Sequence, residues 1–279
     1  MFEDISKIIF ITDMDGTFLP TNKIPSKKNL EAVKKFQELG GRFSIATGRG
    51  LQAAQQYFES FTIDFPIVLC NGGLVYDLNN KKSIYDVFLP EISKNYAEEI
   101  FDEFDSLGGE VLTIDHVNIP ESRFTPTEVR HVEICKVKPN FVDTLDDISD
   151  DWYKVLFCDT IENIDKVIEF VKSKNYVNVD FVRSAPIYYE MLPQNITKGS
   201  AITKIRELCD INDCVIVAAG DFNNDIEMLK NADFSFCPSN STDDVKSVCD
   251  VVLENSCDED AIAVAIEYII SKSNNSSEV

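Results

Sequence analysis

The apolar positions of this chain are set out first as a strand. Ile8-Ile9-Phe10-Ile11 is an unbroken, largely β-branched run that begins at Lys7 and ends at Thr12, just before the two acids Asp13 and Asp15. A short apolar run closed by turn residues predicts a buried strand. The period then changes to that of a helix. Leu30, Val33, Phe36 and Leu39 recur at three- and four-residue steps, with Ser26 as N-cap and Gly40-Gly41 as the stop. Arg42 to Ala46 predicts a second strand, Leu51 to Phe58 a second helix, and Phe65 to Cys70 a third strand. Strand, helix, strand, helix, strand is the order of a parallel sheet with crossover helices.

From Leu74 the rhythm differs. Leu74 to Leu89 predicts a hairpin turning at Asn79-Asn80, with helices near Ser93 to Leu107 and Ile161 to Ser173. Strands are expected at Glu110 to Ile114, Val129 to Val137, Trp152 to Cys158 and Tyr176 to Val182, while Val117 to Pro126 fits no pattern. These segments predict an α+β module inserted into the first domain, spanning residues 82–188 between core segments 1–81 and 189–279. The α/β order resumes with a helix capped by Thr197 and running to Leu208, and a strand from Cys214 to Ala219. A helix at Asn224 to Asn231, a strand at Phe234 to Phe236 and a closing helix at Asp258 to Ile270 follow. Residues 271–279 are polar, rich in Ser and Asn, and expected to be disordered.

Composition narrows the reading. The 279 residues are 44% apolar and 27% charged, and no stretch approaches the roughly 20 apolar residues of a membrane span. The acidic N-terminus lacks a secretory layout, so a soluble, cytoplasmic protein is expected. A net charge of -22 argues against broad nucleic-acid binding, which needs Lys and Arg, but is compatible with a small phosphorylated ligand held in a local cationic pocket. None of the eight cysteines forms a Cys-x-x-Cys pair, so free thiols are expected. With two histidines in the chain, chemistry by carboxylates is favoured.

Four junctions carry complementary polar groups, three of them at the ends of buried strands. Asp13 and Asp15 suit a divalent cation and a reactive phosphate beside the turn that Gly16 permits. Thr47 and Gly48 offer a hydroxyl and a backbone N–H to phosphate oxygens. Lys198 supplies a cation for the same phosphate, and Gly220 to Asp225 forms an acidic loop. Singly, each has a structural reading as turn, cap or surface lysine. Together they describe one site.

The chain resembles the haloacid dehalogenase superfamily of phosphatases, and within it the Cof-type sugar-phosphate phosphatases with a large α/β cap. The resemblance rests on Asp-Met-Asp-Gly-Thr at 13–17, Ala-Thr-Gly-Arg at 46–49, Lys198-Gly199 and Gly-Asp-Phe-Asn-Asn-Asp at 220–225. Asn71-Gly72-Gly73 and Glu190-Met191-Leu192-Pro193 add to it. It implies an α/β fold: a doubly wound, mostly parallel, Rossmann-like sheet with an inserted α+β cap. It further implies a nucleophile at Asp13, and Mg²⁺ held by the Asp13 carboxylate, the Asp15 carbonyl and Asp221. Asp225 would support that set, and Asn224 would touch metal-bound water or substrate. Asp15 would be the acid and base, its pKa raised by neighbouring carboxylates. Thr47, Gly48 and Lys198 would hold the phosphoryl group, while Arg49 either orients the next loop or is a surface arginine.

An acid two residues after the nucleophile favours phosphoester cleavage over dehalogenation. The expected function is Mg²⁺-dependent hydrolysis of a small phosphorylated metabolite through an aspartyl-phosphate. The alternatives are a hexose phosphomutase of phosphomannomutase type and a non-catalytic phosphometabolite sensor. Candidate cations for a mutase are Arg123, Arg130, Lys136, Lys138 and Arg183; Phe124, Trp152, Tyr153, Phe181 and Tyr188 are pocket wall or core.

Overall fold

A computed structural model describes residues 2–276 of the chain. In order, β1 (Ile8–Thr12) leads to α1 (Lys27–Glu38), β2 (Arg42–Ile45), the short α2 (Leu51–Gln55) and β3 (Ile67–Leu69). There follow β4 (Leu74–Asp77), β5 (Lys82–Asp86), α3 (Ser93–Glu103), β6 (Gly108–Leu112) and β7 (Val117–Pro120). Next are α4 (Pro126–Cys135), β8 (Asn140–Val142), β9 (Lys154–Cys158), α5 (Ile161–Ser173), β10 (Val179–Ala185) and β11 (Tyr188–Pro193). The last stretch holds α6 (Lys198–Leu208), β12 (Val215–Ala219), α7 (Ile226–Asn231) and β13 (Phe234–Cys237). It closes with α8 (Asp243–Lys246), β14 (Val251–Val252) and α9 (Ala261–Ser276).

Two compact units result, the first made of residues 1–47, 56–85 and 197–279, the second of 48–55 and 86–196. In the first, five parallel strands lie in the order β14-β13-β12-β1-β2, and a parallel bridge from Ala46 to Val68 brings β3 beside β2. Every residue of β1 is buried, as its unbroken apolar run requires. One face of the sheet presents Phe10, whose ring stacks on Phe43 and Phe236 and meets Phe36 of α1 edge-on. The other presents Ile9, Ile11, Ile216 and Ala218 to Ala201, Ile202 and Ile205 of α6 and Met228 and Leu229 of α7. With α1 paired to α9 and α6 to α7, the sheet is wound on both sides. The chain leaves β1 outward through β2 and β3 and returns on the opposite side as β12. Between β1 and β12, at their carboxyl ends, lies the switch point where ligands of such sheets bind.

The second unit carries a six-stranded sheet in the order β10-β11-β9-β6-β7-β8, antiparallel except for β7 beside β8. Alternation along the strands splits its faces. Val111, Val155, Phe157, Tyr189 and Met191 pack against Ile100 and Phe101 of α3 and Ile164 and Val167 of α5. The neighbouring positions Glu110, Lys154 and Glu190 point the other way and are nonetheless buried.

Several elements depart from the sequence reading. Val129 to Val137 is not a strand but most of α4. Thr125 caps it by accepting from the Glu128 N–H, Pro126 occupies its first turn, and Lys136 ends it in the left-handed conformation at φ 52°. The helical period was masked because the residues this helix buries include a glutamate, Glu128, rather than an apolar run. Tyr189 to Pro193, assigned to the core, instead pairs with β9 and β10 in the second unit. The unreadable 117–126 stretch yields β7 and a 3-10 turn at Glu121–Arg123. Of the tail expected to be disordered, residues 271–276 continue α9, and 277–279 lie outside the described residues. All eight cysteines are free thiols, with Cys209, Cys214 and Cys249 only half-buried.

Candidate active site

The first unit builds a site at its switch point. Asp13 directly follows β1, and its N–H donates to the Ala219 carbonyl at the end of β12, 2.8 Å away. The chain then turns tightly, with Phe18 N–H on Asp13 O and Leu19 N–H on Met14 O. Gly16 makes that turn possible. Its φ of +89° favours glycine, and a β-carbon there would sit 2.5 Å from Asp221 Oδ2. The loop from β1 therefore runs against the loop from β12, and Thr17 Oγ1 donates to Asp221 Oδ1 at 2.7 Å.

Lys198, the first residue of α6, supplies the positive charge. Its buried Nζ lies 2.6 Å from Asp13 Oδ1 and 2.6 Å from Asp225 Oδ1. The second oxygen of Asp225 accepts from the N–H groups of Asp221 and Phe222 at 2.9 and 3.1 Å. Asp225 thus uses both oxygens inside the protein and holds the acidic loop and the lysine together. The start of α6 is placed in turn by Gly72. Its φ is +110°, and a β-carbon on it would meet the Thr197 carbonyl oxygen at 2.2 Å.

Asp13, Asp221 and Asp225 bring carboxylate oxygens within 4.8 Å of one another. Burial pushes the Asp13 carboxyl well above its usual range; Lys198 opposes the shift, while Asp225, Asp221 and Asp15 add to it. Asp221 is pushed up to about 7 by burial and then by Asp225, against the Thr17 hydrogen bond and Lys198. Burial alone would lower Lys198, but Asp13 and Asp225 outweigh it and hold the ammonium above its ordinary value. If all three carboxylates ionise beside this one ammonium, two negative charges remain in excess. An oxygen-preferring divalent cation matches both that donor set and that excess charge.

Asp15 stands apart from this cluster in one respect. It belongs to the same loop, and its carboxylate also pairs with Lys23 Nζ at 2.7 Å. Thr47 is buried at the end of β2; its N–H donates to Val68 O and its carbonyl accepts from Asn71. It stands one residue beyond Ala46, whose N–H bonds Thr12 O, so it ends the strand next to Asp13. Asn224 donates from Nδ2 to Asn71 Oδ1 at 3.0 Å. Gly48 and Arg49 group with the second unit, where Arg49 is buried and donates to the Ala53 carbonyl.

Thr17, Lys23 and Asn71 thus join residues singled out from the sequence. Thr17 and Asn71 lay inside quoted motifs but had no assigned part, and nothing in the spacing marked Lys23. In the second unit, Trp152 and Tyr153 are core. Arg123 lies over the Phe101 ring, and Arg183 pairs with Asp165 at 2.7 Å.

A parallel α/β sheet with an acid cluster and a buried lysine at its switch point defines a class of enzyme whose ligand site lies at the strand ends. The chain belongs to the haloacid dehalogenase-like hydrolase family, whose model matches residues 10–266. It is a hydrolase with that family's fold, and its relatives include named phosphatases. It is 25% identical over 276 residues to the 5-amino-6-(5-phospho-D-ribitylamino)uracil phosphatase YcsE of Bacillus subtilis, covering 95% of this chain and 97% of that protein. A second relative, the 5-amino-6-(5-phospho-D-ribitylamino)uracil phosphatase YbjI of Escherichia coli, is 26% identical, with 84% of this chain and 85% of that protein covered. Among solved structures, a haloacid dehalogenase-like hydrolase from Bacteroides thetaiotaomicron superposes with a TM-score of 0.82 at 24% identity, covering 94% of this chain and 98% of that one. The HAD subclass IIB sugar phosphatase BT4131 superposes with a TM-score of 0.78 at 19% identity, covering 93% and 98%. Among the described residues no helix is long and apolar enough to cross a membrane.

Proposed function

We propose that the protein is a Mg²⁺-dependent phosphatase that hydrolyses a small phosphorylated metabolite, a sugar phosphate or similar phosphomonoester, through an aspartyl-phosphate on Asp13. The observation that carries this reading is Lys198 Nζ held 2.6 Å from both Asp13 and Asp225, with Asp221 alongside. One buried cation is fixed against the attacking carboxylate, and the remaining acids suit a metal. Relatives named for a phosphorylated ribitylamino-uracil support a small phosphomonoester as substrate.

Asp13, the Asp15 carbonyl and Asp221 would hold Mg²⁺, which when bound neutralises charge on the nucleophile and on the phosphoryl oxygens. Asp225, with both oxygens engaged by Lys198 and the loop N–H groups, supports the ligand set. Thr47, Gly48 and Lys198 bind the phosphoryl group, and Asn224, oriented by Asn71, contacts the substrate side. An Asp13 oxygen forms the new O–P bond while the bond to the leaving-group oxygen breaks. That oxygen takes its proton from the Asp15 carboxyl. Asp15, now a carboxylate, takes a proton from water as the water oxygen attacks phosphorus, and phosphate leaves with the Asp13 carboxylate restored.

The test is phosphate release from a panel of phosphorylated metabolites, with Mg²⁺ and with EDTA, for wild type and Asp13→Asn. Mg²⁺-dependent release is expected, with a loss of at least about 10³-fold in the variant. Activity that survives EDTA would remove the metal from the scheme. Equal rates in both proteins would remove the nucleophile, and interconversion of hexose phosphates without net release would identify a mutase.

A further inference from the structure

The acid site is framed by the loops after β1 and β12 and by the start of α6. A further loop, residues 238–242 between β13 and α8, meets two of these. Asn240 Nδ2 donates to the Gly16 carbonyl at 2.9 Å, and Asn240 Oδ1 accepts from Cys257 N–H at 2.8 Å, in the turn before α9. Two residues on, Thr242 N–H donates to the Asp221 carbonyl at 3.1 Å, and the Thr242 hydroxyl donates to Asn223 Oδ1 at 3.0 Å. The loop is itself anchored. Ser239 N–H donates to the Asn255 carbonyl at 2.9 Å, Ser241 N–H to the Pro238 carbonyl at 3.1 Å, and Thr242 caps α8 by accepting from Val245 N–H. One short segment therefore grips the backbone of the turn after Asp13 and the backbone of Asp221. These two stretches meet at the site, where a β-carbon on Gly16 would stand 2.5 Å from Asp221 Oδ2 and Thr17 donates to Asp221 Oδ1. They also carry acids that repel one another, because the ionised carboxylates outnumber the Lys198 ammonium. Asn240 is exposed, so water can replace its amide and its bond to Gly16 adds little to stability. What the bond fixes is the spacing of the two loops.

We propose that Asn240 is a positioning residue for the metal site. By bracing the Gly16 turn to the loop that Thr242 ties to Asp221, it holds the acid-bearing loops at a spacing that favours a small divalent cation over a larger one. The inference rests on the reading that Asp13 and Asp221 hold Mg²⁺. Mg²⁺ demands near-ideal octahedral geometry at about 2.0–2.1 Å, whereas Ca²⁺ takes roughly 6–8 oxygens at about 2.3–2.6 Å in a flexible shell. A spacing already held need not be reached at the expense of binding, while loosened loops must first be drawn together against their own repulsion. Loss of the brace therefore weighs on Mg²⁺ and spares Ca²⁺.

The experiment is calorimetric titration with Mg²⁺ and with Ca²⁺, in the absence of substrate, with folding checked by circular dichroism. It compares wild type, Asn240→Ala, Asn240→Asp and Thr21→Val. Asn240→Asp keeps the acceptor for Cys257 N–H and loses the donor to Gly16; its added charge attracts both cations, so their affinity ratio still reads the spacing. Thr21→Val is the control. It removes a hydroxyl bonded to Asp258 Oδ1 at 2.8 Å, another exposed tie to the turn before α9, which bonds neither Gly16 nor Asp221. Asn240→Ala is expected to bind Mg²⁺ about tenfold more weakly than wild type and Ca²⁺ within about twofold, so that the Mg²⁺-to-Ca²⁺ ratio falls. Asn240→Asp is expected to lower the ratio as well, and Thr21→Val to keep it. An unchanged ratio in either Asn240 variant, or an equal fall in Thr21→Val, would overturn the role of Asn240 and leave the metal reading standing. Absence of Mg²⁺ binding by wild type would overturn the metal assignment instead, and with it the premise.

Discussion

Replacing Lys198 by Met keeps most of the buried stem and removes only the charge. Lys198 is the ammonium in contact with Asp13 and Asp225, and side-chain exposures of 2%, 9% and 1% leave water little room to replace it. Breaking a buried pair by deleting one partner costs about 3–5 kcal/mol, because the other charges stay behind unpaired. Against a typical stability of about 5–15 kcal/mol that is a large fraction, and at roughly 2–4 °C per kcal/mol it lowers Tm by about 10 °C. The loss has a pH signature. The Asp13 carboxyl is already raised above its unfolded value of 3.8, so the folded protein keeps a proton the unfolded chain releases, and stability falls as pH rises through that window. Removing the one charge that opposes the shift raises the folded value further and widens the window. Lys198→Met should therefore be closer to wild type at pH 5 than at pH 8. Urea unfolding followed by circular dichroism in EDTA at both pH values measures this. A loss under about 1 kcal/mol, or the same loss at both pH values, would refute the reasoning.

Two further outcomes follow from the titrating groups. If Asp221 holds Mg²⁺ as proposed, its carboxyl being pushed up to about 7 makes a proton a competitor of the metal below neutrality, and calorimetry should find Mg²⁺ binding about tenfold weaker at pH 6 than at pH 8. In the second unit, Glu128 of α4 is fully buried, is pushed up to about 8 by burial and then by Glu110 of β6, and accepts from the Cys158 thiol of β9, with His131 nearby. Its folded value exceeds the unfolded 4.5, so its contribution to stability is lost as pH rises from about 4.5 to about 8. Glu128→Gln, which needs no proton to stay neutral, should gain on wild type over that range by an amount on the order of 4 kcal/mol, read by Trp152 fluorescence in the same unit; a constant difference would refute it.

What could be read from the chain alone was whatever depends on local pattern. The apolar run of β1, the Ser26 and Thr197 caps and the strand before Gly220 each carry their own period or cap, so their elements and order followed directly. Asp13, Lys198, Asp221 and Asp225 could be grouped because each follows, or starts, an element whose place in a parallel sheet is set by topology. The same logic failed at α4, where a glutamate, Glu128, is buried and accepts from the Cys158 thiol, and no hydropathy pattern marks such a position. It failed again at β11, because this strand also pairs with β9, far earlier in the chain, and the pairing of Tyr189 with Phe157 is a contact that composition does not encode.

Residue types and spacing therefore determined that the chain builds a parallel α/β sheet and which chemistry is available at its edge. Only the tertiary structure decided which charges meet. Lys198 bridges Asp13 and Asp225 rather than standing in solvent, Thr17 turns onto Asp221, and Asp15 faces Lys23 from a turn anchored by Asp258. The physical reason is that a strand's burial follows from its own side chains. The partner of a charge depends on which distant loops the packed sheet brings to the same end.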